Sequence, residues 1–173
     1  KAGYSFVSCS EKSIENGDVK MYHYPVVDLI LGKEKEWNSL KEGKPKEFKT
    51  FTPKMQKAII QYTDSAGNLF VSGANIVSDL VLADKSTVKE RKFMEKTLKI
   101  KWHADKINNI SAVNFNFSPI KNAFNINLSF YNYPNDISYF IESPDIIERN
   151  DKSADVICNY SQNGLSASIV YKK

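Results

Sequence analysis

Ser111–Tyr133 reads SAVNFNFSPIKNAFNINLSFYNY, and two alternating runs inside it decide the fold. Val113, Phe115 and Phe117 alternate with Asn114, Asn116 and Ser118. Phe124, Ile126, Leu128 and Phe130 then alternate with Asn125, Asn127 and Ser129. Successive strand residues point to opposite faces, so each run is a strand with one apolar and one polar side, and the two form an antiparallel hairpin. The connection Ser118-Pro119-Ile120-Lys121-Asn122-Ala123 supplies turn chemistry, because Pro119 fixes φ and removes a ladder donor.

Working outward, Leu98, Ile100 and Trp102 alternate with Lys99 and Lys101, which predicts a third strand joining this meander. Towards the C-terminus, Ala154–Tyr160 and Leu165–Tyr171 flank Asn163-Gly164, the dipeptide best suited to a hairpin turn because both residues accept positive φ. Towards the N-terminus, Tyr4–Cys9 and Val19–Leu31 flank Glu15-Asn16-Gly17-Asp18 and read as another strand pair, with Pro25 marking a bulge or an edge. Ala58–Thr63 and Leu69–Ser72 around Ser65-Ala66-Gly67-Asn68 suggest one more. A helix competes there: Thr52-Pro53 is a good helix start, and Met55, Ala58, Ile59 and Tyr62 fall at i, i+3, i+4 and i+7. Ile76, Val77, Leu80 and Val81 also suit one helical face, as does a start at Ser86. Strand candidates outnumber helices. The expected fold is mainly β: a single domain over 1–173 forming an antiparallel β-sandwich or irregular barrel with one to three short helices, or alternatively an α+β fold with an antiparallel sheet.

Cys9 and Cys158 are the two cysteines, one near each end. Cys9 shares a strand face with Val7, and Cys158 shares one with Val156 and Tyr160, so both sulfurs are expected to point inward and are the candidate pair for a disulfide. Closing so long a loop stabilises by up to about 5 kcal/mol in the chain-entropy model. Bridged cysteines, in a chain numbered from Lys1 without an initiator methionine, point to export into the periplasm or the extracellular space. A lipid anchor upstream of Lys1 is compatible with this reading.

Composition excludes several classes. Of 24 basic residues only Arg91 and Arg149 are arginine, and 20 acidic residues leave a net charge of +4. Base edges and phosphates are read chiefly by the arginine fork, so sequence-specific nucleic-acid binding is not expected. No apolar run is long enough for a transmembrane helix. Asn109, Asn116, Asn127 and Asn159 open Asn-X-Ser sequons, but 16 Asn and 23 Ser plus Thr make about two such triplets a chance expectation, and no glycosylation is inferred.

No catalytic or cofactor motif stands out. His23 and His103 lack metal-ligand spacing, no G-x-S-x-G occurs, and the seven glycines form no phosphate loop, so neither metal nor cofactor is expected. Asp28 lies between Val27 and Leu29, where alternation places it on the solvent face. The Lys/Glu-rich stretch at about 32–54 lacks a convincing element over most of its length yet carries Trp37, Phe48 and Phe51. Long irregular loops are often functional, and these aromatics are the candidate anchors for a protein partner, with Tyr131 and Tyr133 as a second group. The outer asparagine face of the 111–133 hairpin is a further candidate surface, although such a face is more often the wet side of a sheet.

The sequence therefore points to a non-enzymatic, exported protein-binding domain, such as an inhibitor, a neutralising or immunity-type protein or an envelope accessory protein. One alternative is a β-barrel carrier whose Trp102, Phe115, Phe117, Phe124, Ile126 and Phe130 line a cavity for a small apolar ligand. The other is a carboxylate-dependent hydrolase, which leaves no local motif.

Overall fold

A computed structural model describes residues 3, 5–32, 34, 49–81, 87–104, 112–116, 125–129 and 144–171. Among them the chain is strand-rich, with eight strands, short helices and two antiparallel sheets, and no sheet closes into a barrel. Contacts gather it into two compact units: Lys1–Leu29 with Phe51–Val71, and Ile30–Thr50 with Ser72–Lys173. No described helix is long and apolar enough to cross a membrane.

The first unit opens with a correction. Residues 5–10 form no strand, and the segment that follows is helix α1 (Glu11–Asn16). Ser10 caps it by accepting the Ser13 amide, and Glu11 sits in the first turn where a negative charge suits the helix dipole. Asn16-Gly17 is then a helix end rather than a hairpin turn. Gly17 has φ +83°, and its amide donates to the Ile14 carbonyl at 3.0 Å. A 3₁₀ turn (Met21–His23) follows, and the expected long strand begins only after Pro25, as β1 (Val26–Gly32).

Helix α2 (Pro53–Asp64) settles the competition between strand and helix. Thr52 accepts the Met55 amide at 3.2 Å and Pro53 opens the helix without sacrificing a needed donor. Met55, Ile59 and Tyr62 are buried along one stripe. The helix ends with Ala66 at φ +61°, while the Gly67 amide donates to the Tyr62 carbonyl at 3.0 Å. The glycine thus stands one residue beyond the left-handed position. Its purpose is space: a Cβ on Gly67 would lie 2.4 Å from the Tyr62 ring.

Strand β2 (Asn68–Gly73) pairs with β1. In the first unit the strands start side by side, the Asn68 amide donating to the Pro25 carbonyl at 3.3 Å. In the second they finish side by side, the Ala74 amide donating to Gly32 at 2.8 Å. The pair is therefore parallel, and α2 lies in its crossover connection. Pro25 cannot donate to the ladder, but its carbonyl accepts.

The second unit carries α3 (Ser78–Val81), α4 (Val88–Lys92) continued by a π-helical turn (Phe93–Thr97), and six strands: β3 (Ile100–Ala104), β4 (Ala112–Asn116), β5 (Asn125–Ser129), β6 (Ile146–Arg149), β7 (Ala154–Tyr160) and β8 (Ser166–Tyr171). Thr87 and Glu90 form a capping box at the start of α4. The expected β4–β5 hairpin forms, with Val113 opposite Leu128, Asn114 opposite Asn127 and Phe115 opposite Ile126; β4 alternates in burial as expected, whereas in β5 Ile126 and Leu128 are exposed along with Asn127. The Asn163-Gly164 hairpin also forms between β7 and β8, with Gly164 at φ +70°.

The sheet order β5-β4-β7-β8 brings the two hairpins together, Val113 opposite Tyr160 and Phe115 opposite Cys158. The strand at Leu98–Trp102 departs from expectation. It starts only at Ile100, and β3 pairs antiparallel with β6, Trp102 opposite Ile147, instead of joining the meander. Ile146 of β6 packs with Val113, Cys158 and Tyr160, so both antiparallel sheets share one core.

Candidate functional site: a tyrosine-lined cleft

The 3₁₀ turn presents Tyr22-His23-Tyr24-Pro25 beside the end of α2, and together they enclose an open cleft of about 320 Å³. Tyr62 reaches it from the last turn of α2, and Ser65, Ala66, Gly67 and Asn68 complete the lining.

Tyr62 is 2% exposed, and its hydroxyl lies 3.0 Å from the Tyr24 carbonyl and 3.1 Å from that of Asn68, so it donates to one or shares its proton between them. Burial raises the pKa of that hydroxyl, partly offset by the backbone at Asn68. The phenol stays neutral and continues to donate. The Asn68 side-chain amide donates to the Pro25 carbonyl at 2.9 Å, which leaves its own oxygen as an acceptor. Tyr22 is exposed and meets the His23 ring edge-on, with centroids 4.6 Å apart. Lys20 lies 5.9 Å from the Tyr22 ring centroid. No carboxylate, ammonium or guanidinium belongs to the lining.

Apolar side chains stand in water on the same unit. In a parallel pair, the Asn68 to Pro25 bond sets Val26 beside Asn68 and Asp28 beside Phe70. Val26, Asp28, Asn68 and Phe70 are all exposed, so they form one outward face of β1 and β2. Phe6 and Val7 are exposed as well.

No family model, curated protein or solved structure matches this chain.

Of the anchors expected from the sequence, Trp37, Phe48, Tyr131 and Tyr133 lie outside the described residues. Phe51 is fully buried beside the start of α2, where its carbonyl accepts from the Gln56 side chain at 3.0 Å. It is a core residue, and no surface is built on it. The cysteines require a further correction: both are free. Cys9 is exposed on irregular chain, because the capped helix α1 replaces the expected hairpin. Cys158 does face inward, and burial pushes its thiol up to about 11, which suppresses the reactive thiolate.

The remaining polar candidates are tied to structure. Asp28 faces solvent, as alternation predicts. Asp145 accepts the Val77 and Ser78 amides at 2.7 and 2.9 Å, and Asp79 accepts the Thr50 amide at 2.8 Å. Burial, and then the nearby Asp79, raise the pKa of Glu34. His103 pairs with Glu148 on the exposed surface. Among the described residues no three His, Cys, Asp or Glu side chains are placed to hold a metal ion. On the outer asparagine face, Asn127 donates to Asn114 at 2.6 Å.

The sequence reading passed over Tyr22, His23 and Tyr24 because it absorbed them into a strand. The available signal was the density of aromatic rings immediately before a proline.

Proposed function

We propose that this chain is a non-enzymatic protein-binding module whose partner seats on the first unit. The observation that carries the reading is exposure: Phe6 is 90%, Val7 65%, Val26 62%, Tyr22 59% and Phe70 56% exposed. Single exposed apolar residues are ordinary and occur on the second unit as well, Ile30 at 75% and Val88 at 70%, but on the first Val26 and Phe70 share one sheet face, and adjacent exposed apolar groups of this kind suit an interaction surface. Inhibition, neutralisation and envelope assembly are all roles such a module could serve. With both thiols free, export has no support from the cysteines, and the reading concerns binding alone.

Photo-crosslinking from within the native cells tests it. A benzophenone side chain at position 70 is expected to give one dominant protein adduct. The same group at position 88, where Val88 is 70% exposed on the second unit, is expected to give none. Equal labelling from both positions, or no adduct from position 70, overturns the reading.

A further inference from the structure

Resting on that reading, we infer that the cleft formed by Tyr22, His23, Tyr24, Pro25, Tyr62 and Asn68 receives an extended, uncharged, proline-bearing segment of the protein partner. Charge comes first. The lining holds no carboxylate, ammonium or guanidinium, so a charged ligand would be desolvated there with little counter-charge. Shape comes second. An open cleft of about 320 Å³ bordered by the exposed Tyr22 ring and the half-buried Tyr24 ring, with buried Tyr62 behind them, suits a short run of pyrrolidine rings packed against aromatic faces.

Hydrogen bonding narrows the class further. The rings of Tyr22, His23 and Tyr24 have no side-chain hydrogen-bond partner among the described residues, so hydroxyls and an imidazole N–H are available as donors. Proline supplies acceptors only, since it has a carbonyl and no N–H. A polyproline II segment also makes no internal hydrogen bonds, so every carbonyl is open to a donor, and it arrives already ordered. The cleft is itself set in advance. The Tyr62 hydroxyl is held by the Tyr24 and Asn68 carbonyls, and the missing Cβ of Gly67 lets the Tyr62 ring lie against the turn. Ala66, in the left-handed region at φ +61°, completes this wall, and strained backbone of this kind is often found where a ligand is clamped.

The test titrates the full chain with blocked hexaproline while following its backbone amides by NMR, with blocked hexaglycine and maltotriose as comparison ligands. Saturable shifts confined to Tyr22–Tyr24 and Ser65–Asn68 with hexaproline alone are expected. Tyr22→Ala, whose exposed ring leaves the fold intact, is expected to weaken binding at least about tenfold. Absence of saturable shifts, an equal response to maltotriose, or unchanged affinity in Tyr22→Ala overturns the inference. If hexaproline fails while the position-70 adduct persists, the cleft assignment falls and protein binding stands. If both fail, both fall.

Discussion

The two units each bury an apolar core, but they arrange their exposed apolar side chains differently. In the second, Val113, Ile146, Cys158 and Tyr160 face one another across two antiparallel sheets, and Asn114, Asn116 and Asn127 face water. In the first, Met55, Ile59 and Tyr62 fill a core while Phe6, Val26 and Phe70 remain outside it. Buried polar groups differ in kind: the second unit buries the Asp79 and Asp145 carboxylates against backbone amides, whereas the first buries the neutral Gln56 amide against the Phe51 carbonyl, and both cap their helices. The second unit exposes apolar side chains too, Ile30, Val88 and Leu128 among them, but in the first Val26 and Phe70 share one sheet face. The difference teaches that what marks the first unit is the adjacency of its exposed apolar groups, more than their number.

The largest expected effect breaks the second unit's side of this contrast. Asp145→Ala removes the acceptor for two buried amides, and the expected destabilisation is about 3 kcal/mol. Denaturant unfolding measures it, and a loss well under 1 kcal/mol would show that these amides find other partners. Next comes Gly67→Ala in the first unit, at about 2 kcal/mol, because the new Cβ must displace a ring whose hydroxyl is anchored. Ala66→Gly should move the other way by roughly 1 kcal/mol, since glycine carries no penalty at positive φ. If both substitutions proved neutral, the turn that shapes the cleft would not be rigid.

A pH profile sharpens the electrostatic half of the contrast. Burial alone would raise the Glu90 pKa, but the bond from Lys49, the Thr87 amide and hydroxyl, and the Lys49 charge together hold it below 4.5. A lowered folded value means that its stabilisation is present above 4.5 and is lost as pH falls through that lower value. Glu34 is raised, so it acts in the opposite sense, favouring the fold below 4.5 and opposing it as pH rises through the raised value. Lys49→Met should therefore flatten the loss of melting temperature on acidification below 4.5. An unchanged profile would remove Glu90 from the account.

Much of the second unit was legible because its rules are local. Period-2 alternation defined β4 and β5, and Asn163-Gly164 between two apolar runs defined the last hairpin. The same dipeptide at Asn16-Gly17 misled, since positive φ serves a hairpin and a helix end equally. Ser10, Ser13 and Glu11 were the residues that should have tipped the reading towards a helix. The partner of β3 could not be read at all: Ile100 and Trp102 announce a strand, but pairing with Ile146–Arg149 is a long-range choice made by the shared core. Likewise the cleft depends on α2 returning Tyr62 to Tyr24, a contact between residues 38 positions apart. Phe51 was misjudged because an aromatic beside a charged stretch looks the same whether it anchors a partner or seeds the next helix's core.

The smallest expected effect on stability is the most telling for function. Val26→Ser with Phe70→Ser changes two exposed side chains on one face, so unfolding stability should shift by no more than about 0.5 kcal/mol. The decisive measurement pairs that value with the adduct formed from a benzophenone group placed at Tyr22 in the same variant. Unchanged stability with loss of the partner adduct is the predicted result. Retention of the adduct, or a stability loss of several kcal/mol, would contradict the claim that this face exists to bind.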